Sequence, residues 1–307
     1  MIGRVKNIVK DFKMNKKVKF ITAIYSDLHG TEFGGRPSRG GHYRWSLLSL
    51  LKMTDADFVC YTSDREIESL KEFFYVNYHI SEEQLKFVVF DIAQTKYKDL
   101  IKEFKNVEDA KRSDRCLEIQ YTKFFWWWNE DKTYDYYFWL DAGLSHCGLI
   151  PNAYLTEQGP MRCYYESNLF NNDFLKNLIE RIGDKFLIIG KENQRNYWSG
   201  TVNPKWYKEY DYSTHVIGGL FGGQKDLWDN VVTIFEGYFE SITRTDHQLY
   251  MEEVIMSLMY FNHKELFHVE HFDTWWHPEG KTAGIDDSHF LTNKSFYKIL
   301  EDLNKIK

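Results

Sequence analysis

Cysteine is sparse: the 307 residues contain four, Cys60, Cys116, Cys147 and Cys163, widely spaced and with no C-x-x-C pair. That spacing excludes a zinc cluster or a disulfide scaffold and makes a reducing compartment the default. No run of about 18 apolar residues occurs, so no transmembrane helix is expected. The N-terminal stretch MIGRVKNIVKDFKMNKKVKF is charged throughout and lacks the apolar core of a signal peptide. These absences predict a cytoplasmic protein with no integral membrane segment, although a basic, loosely amphipathic start leaves peripheral contact with an anionic membrane face open. Positive charge is not in excess either. The formal net charge is −6, with acids and bases mixed along the chain. Non-specific nucleic-acid binding needs a basic footprint and is therefore not expected; binding one phosphorylated small molecule is compatible with this balance. Internal repeats and low-complexity tracts are also lacking.

Aromatic residues are plentiful, with 10 Trp, 21 Tyr and 23 Phe. Core packing accounts for many of them, and exposed Tyr and Trp also make stacking platforms for sugars and bases. At 43% hydrophobic content the chain can bury a sizeable core, and one large domain over residues 1–307 is expected rather than two.

Three β-rich runs, Val18–Tyr25, Asp57–Thr62 and Leu85–Asp91, are separated by helical patterns at Tyr43–Met53 and Arg65–Asn77. Such alternation predicts βαβ units and a mostly parallel sheet. Each run ends near an acid, at Asp27, Asp64 and Asp91, a residue type that also caps helices. The loop Thr31–Trp45 carries several glycines with Arg36, Arg39 and Arg44. Glycine permits close approach and guanidinium pairs bidentately with phosphate, so this loop suits a diphosphate, although it matches neither G-x-G-x-x-G nor the P-loop. A mobile surface loop is the alternative.

Cys116–Trp128 reads as a helix buried on several sides, with Leu117, Tyr121, Phe124, Phe125 and Trp128 at helical spacing. Lys123 lies off that stripe, either reaching a phosphate or snorkelling at the surface. Next comes Tyr136-Tyr137-Phe138-Trp139-Leu140, ending abruptly in Asp141-Ala142-Gly143. The continuous apolar run suits a strand buried on both faces, and an acid at its carboxyl end would sit in the crevice where open α/β sheets bind ligands.

Further on, a helix at Phe170–Arg181 and a strand at Phe186–Gly190 precede a polar, aromatic stretch, Lys191–Tyr212, with Trp198 and Trp206. A loop of that length suits an acceptor-binding flap. In His215–Gln224 the pairs Gly218-Gly219 and Gly222-Gly223 flank Leu220-Phe221. Glycines in a strand mark a bend or the close approach of another group to the backbone. Helices are expected over Lys225–Ile242 and Asp246–Asn262. In the second, Glu253 and Asp246 lie opposite the stripe Met251, Val254, Ile255, Leu258 and Met259, whereas Glu252 borders it, where desolvation raises a carboxyl pKa. His268–His277 is dense in His, Trp and acids, and one of its histidines could join Asp141 in a metal site. Phe290–Lys307 reads as a terminal helix.

Taken in order, these features resemble the A-type glycosyltransferases, and most closely the WlaTC/HtrL type. They are an amino-terminal βαβ half, a helix leading to a strand with Asp141 at its end, the segment HVIGGLFGGQKDLW, and the acidic helix DHQLYMEEVIMSLMY. The resemblance covers residues 18–277. It implies a single Rossmann-like α/β domain with a mostly parallel sheet flanked by helices. Residues 1–141 would form a nucleotide-binding half, 142–290 an acceptor-binding half and 291–307 a C-terminal helix.

It further implies transfer of a sugar from a nucleoside-diphosphate sugar donor to a hydroxyl of a glycan acceptor. Asp141 would be the donor-site carboxylate, with Asp27, Arg36, Arg39, Asp64, Lys123, Gly143, Gly218 and Gly219 also on the donor side. Glu252, Glu253 and Asp246 would be the catalytic candidates, and Trp198, Phe221 and Trp275 would face the acceptor. Mn²⁺ or Mg²⁺ is expected, since oxygen ligands suit hard ions. In this sequence Gly143 stands where the family places a second Asp, so His271 or His277 would complete the site with Asp141, or Ser145 and His146 would help, or the metal would be weakly held. Two other functions fit parts of the pattern: a non-catalytic carbohydrate-binding protein, and a phosphate-ester enzyme using Asp141.

Overall fold

The computed structural model describes residues 16–28, 40–52, 54–104, 117–143, 172–192 and 214–272. Seven strands form one sheet: β1 (Val18–Ile24), β2 (Asp57–Thr62), β3 (Leu85–Val89), β4 (Tyr136–Leu140), β5 (Phe186–Glu192), β6 (Thr214–Gln224) and β7 (Phe267–Phe272). Their order is β3-β2-β1-β4-β6-β5-β7. β1 pairs in parallel with β2 and β4, β2 with β3, and β5 with β7, whereas β6 runs antiparallel between β4 and β5. The sheet is mostly parallel, as the βαβ pattern predicts.

Both faces are covered, which is why its strands read as near-continuous apolar runs. Successive side chains alternate between the faces. Phe20, Ile24, Phe58, Phe138 and Leu187 pack with α1 (Gly40–Leu51), α2 (Ile67–Lys71, continued by a π-helical turn Glu72–Asn77) and α5 (Asn172–Ile182). Ile21, Tyr61, Tyr137, Trp139 and Phe221 pack on the other side with α3 (Lys98–Phe104), α4 (Leu117–Phe125, continued by a 3₁₀ turn Trp126–Asn129), α6 (Lys225–Asp246) and α7 (Glu252–Asn262). Much of the aromatic surplus is spent here. Trp126 lies between Tyr61 and Trp139, with ring centroids 5.0 and 5.4 Å away, and Trp127 stacks on Trp228 at 5.2 Å.

One element differs from the sequence expectation. The acidic helix does not begin at Asp246. That residue closes α6, His247 follows in the left-handed conformation (φ 50°) as its C-cap, and α7 starts at Glu252. A left-handed residue turns the chain out of the helix axis, and the Tyr250 hydroxyl donates to Asp246 Oδ2 at 2.7 Å across the break. Asp246 therefore belongs to a different helix from Glu252 and Glu253. The glycine-rich segment is a full strand, and the His-rich segment begins as β7. No helix among the described residues is long and apolar enough to cross a membrane.

The chain leaves β1 for β2 and β3 on one side, then returns to place β4 on the other. A crevice opens outside the carboxyl ends of β1 and β4 at such a reversal, and open α/β sheets bind ligands there.

Candidate active site

Asp141 directly follows β4, with its N–H donating to Gly219 O at 2.8 Å. Its side chain is 41% exposed, and its Oδ1 meets two donors: Trp139 Nε1 at 2.8 Å and the Lys123 ammonium at 3.1 Å. Trp139 and Asp141 are two residues apart on a strand and so share a face. This explains how one strand supplies both the acid and the indole that orients it.

Lys123 is not a surface lysine. Its side chain is 7% exposed, and besides Asp141 it reaches Glu252 Oε1 at 2.7 Å and Gly218 O at 3.1 Å. Burial by itself would lower the ammonium pKa, but Asp141, Glu252 and Glu253 outweigh it and raise the pKa above the ordinary lysine value. Glu252 is 1% exposed, and Glu253, also buried, accepts the Gly218 N–H at 3.1 Å. Both glutamates occupy the first turn of α7, where the helix dipole favours negative charge.

Gly218 allows this approach. A Cβ there would lie 2.6 Å from Glu252 Oε1 and 3.3 Å from Lys123 Nζ. The group that comes close to this glycine is thus a carboxylate of the same chain. Gly222 has another reason: its φ is 150°, and a Cβ would stand 2.3 Å from Tyr137 O on the neighbouring strand.

A second polar group lies at the ends of β1 and β2. Asp27 Oδ2 accepts the Ser63 hydroxyl at 2.9 Å, while its Oδ1 is buried and has no hydrogen-bond partner. Beside it, buried Glu66 accepts the Ser26 N–H at 2.8 Å, contacts the Ser26 hydroxyl, and pairs with Arg44 at 3.3 Å. Burial raises the Glu66 pKa, against the lowering effect of the Ser26 N–H and Arg44.

The residues expected at the site therefore fall into groups. Asp141, Lys123, Gly218, Gly219, Glu252 and Glu253 come together, Gly143 lies two residues beyond Asp141, and Asp27 sits at the end of β1. Asp64 is exposed just past β2. Asp246 is on α6. Phe221 is fully buried, stacked on Phe124 at 4.6 Å, so its ring belongs to the core and not to an acceptor surface. Arg36, Arg39, Ser145, His146, Trp198, Trp275 and His277 lie outside the described residues, as does the His271 side chain. Sequence reasoning missed Trp139 and Glu66. Trp139 had a signal, at i−2 from Asp141 at the end of a strand. Glu66 had none, because its partners arrive from other elements.

Among the described residues no three His, Cys, Asp or Glu side chains are grouped so as to hold a metal ion. Of the carboxylates gathered here, Asp141 and Glu252 both have the Lys123 ammonium against them and Glu253 is buried on the Gly218 N–H, so the described residues do not by themselves fit Mn²⁺ or Mg²⁺.

No protein-family model matches the sequence, and no curated protein matches it. Similarities to solved structures are found. The crystal structure of mouse xyloside xylosyltransferase 1, apo form, matches with a TM-score of 0.50 at 10% identity, covering 90% of this chain and 93% of that one. That of 4-diphosphocytidyl-2C-methyl-D-erythritol synthase from Anaerococcus prevotii matches with a TM-score of 0.43 at 11% identity, covering 92% and 96%. The chain has the mixed α/β fold of the first.

Proposed function

We propose that the protein is a glycosyltransferase that moves a sugar from a nucleoside-diphosphate sugar to a hydroxyl of a glycan acceptor. One observation carries this reading. Asp141 stands at the carboxyl end of β4, beside the topological reversal, with Lys123 and Trp139 on one of its oxygens and Glu252 behind Lys123. A fold shared with a xylosyltransferase supports it, within the limit that fold does not imply function.

In this reading the nucleoside diphosphate lies across the ends of β1 and β4, between Asp27 and Asp141, with Asp64 at the rim. Breaking the sugar–phosphate bond develops negative charge on the departing diphosphate, which fixed positive charge must stabilise. Lys123 is such a charge, and Arg36 and Arg39 are proposed to add to it. Gly143 and Gly219 are proposed to let backbone come close to the donor, while Gly218, which the sequence placed on the donor side, is taken up by Glu252 and Glu253. Glu252 or Glu253 acts as the base for the acceptor hydroxyl in an inverting reaction, or as the carboxylate facing the oxocarbenium-like centre in a retaining one. Trp198 and Trp275 are proposed to meet the acceptor. A metal requirement would have to draw on His271 or His277 in addition to Asp141.

The test is thermal stability with nucleoside diphosphates and nucleotide sugars, each with and without Mn²⁺. A saturating ligand at 100 times its Kd adds about 2.7 kcal/mol of stability. A shift with one nucleotide class that is lost in Asp141→Ala is expected. Dependence of that shift on Mn²⁺ would place a metal beside Asp141, and independence would leave the charge to Lys and Arg. No shift with any nucleotide sinks the reading.

A further inference from the structure

Gln120 is 3% exposed, and among the described residues neither its Oε1 nor its Nε2 has a hydrogen-bond partner. A buried carboxamide with both ends unpaired is rare, because each end has given up water for nothing. Its position indicates what replaces that water. Along α4, Lys123 meets Asp141 beyond the end of β4, Trp126 stacks on Trp139, and Trp127 packs edge-on against Tyr137. The helix therefore descends alongside β4 from the crevice, and Gln120, three residues earlier, lies about 4.5 Å nearer the crevice at the α-helical rise.

Its azimuth is set as well. On the helical wheel residue 120 falls between 123 and 124. Lys123 faces Asp141, Gly218 and Glu252, while Phe124 faces Phe221 and Phe235. Helical side chains lean toward the N-terminus of their helix, which here is the crevice. The wheel and that lean together direct the amide toward the Lys123–Glu252 side of α4, where the candidate catalytic glutamates lie. Asp27, with its own unpartnered Oδ1, is at the end of β1.

We propose that Gln120 is a specificity-determining residue for the transferred sugar: Oε1 accepts a hydrogen bond from one hydroxyl of the glycosyl unit, and Nε2 donates to the oxygen of its neighbour. The inference rests on the transferase reading and adds the group that recognises the sugar, as distinct from the nucleotide. A carboxamide offers one acceptor and two donors in a plane, a pattern that a vicinal diol satisfies; with the ring held in one pose by its diphosphate, an epimer moves one of the two oxygens away from the amide. A site built to bond a hydroxyl rejects an analogue that misplaces it, because its own buried groups are then left unpaired.

The experiment measures binding by titration calorimetry for wild type and Gln120→Met, which keeps chain length and removes the amide. The probes are UDP, GDP, CDP, ADP and dTDP, then glucose, galactose, xylose and mannose conjugates of the diphosphate that binds. Wild type is expected to bind one conjugate more tightly than its epimers. Gln120→Met should bind the free diphosphate as wild type does, bind the preferred conjugate about tenfold more weakly, and lose discrimination among epimers, with an unchanged or higher Tm. Gln120→Asn, which retains the amide one methylene short, should show the same split if the Met variant does not fold. Unchanged binding of the preferred conjugate overturns the proposal. So does equal loss of diphosphate and conjugate, or a lower Tm together with loss of both, since either makes the amide a general support of the site. Failure of wild type to bind any diphosphate overturns the transferase reading itself, and this inference with it.

Discussion

Lys123 Nζ and Glu252 Oε1 meet at 2.7 Å although 129 residues separate them, with side chains only 7% and 1% exposed. The pair joins α4, the helix before β4, to α7, and through Lys123 it also fixes Asp141. Removing one partner of a buried ion pair leaves an uncompensated charge, whereas removing both does not.

Lys123→Met is therefore expected to cost about 3–5 kcal/mol of stability, the range for breaking a buried pair. The double variant Lys123→Met/Glu252→Leu should recover part of that loss. Urea denaturation of the two single variants and the double variant gives the coupling directly, and strict additivity would show that the contact carries no energy.

Gly218→Ala would push a methyl group to 2.6 Å from Glu252 Oε1. A loss of about 1–3 kcal/mol is expected from such overpacking, and it should shrink when Glu252 is also Ala, because the obstacle is a side chain. Gly222→Ala should cost more and resist rescue, since its obstacle is the Tyr137 carbonyl and its φ of 150° disfavours any other residue. Thermal melts of the three variants distinguish the two glycines.

Trp139→Phe keeps a ring in the stack and removes the indole N–H that bonds Asp141. The expected stability loss is about 1 kcal/mol for the hydrogen bond, plus a packing term. The affinity for a nucleoside diphosphate should fall as Asp141 loses its orientation. Calorimetry showing unchanged affinity would mean that Lys123 alone suffices.

Glu66 sets a pH dependence whose sign is fixed by its raised pKa. A carboxyl that binds its proton more tightly when folded contributes most stability below its unfolded pKa, and that contribution is lost as pH rises through the folded pKa. Between neutral pH and about pH 4, the ordinary glutamate range, this residue should add stability on acidification. Glu66→Gln should flatten that part of the stability profile; an identical profile in the variant would show that Glu66 is not the titrating group.

The strands were legible because their signal is local. VKFITAI, DFVCYT and YYFWL are apolar on both faces, and each becomes a strand with both faces covered. Asp141 at the end of such a run was legible for the same reason. The break between Asp246 and Glu252 was not, since no Gly or Pro marks it: a left-handed His247 ends α6, and α7 begins only after an extended Met251. Phe221 was expected to face an acceptor, yet its ring lies in the core, and the nearby Gly218 and Gly222 admit a glutamate and a neighbouring strand's backbone.

The sequence by itself determined the alternation of strands and helices, the acid at the strand end and the lack of a second acid at Gly143. These depend on residue type and spacing within a few turns of chain. Only the tertiary structure decided that Lys123 is buried, that Glu252 and Glu253 are its neighbours, that Phe221 is core, and that the Gln120 amide has no partner among the described residues. Each of these depends on elements distant in sequence, and burial and charge pairing arise only once the sheet brings those elements together.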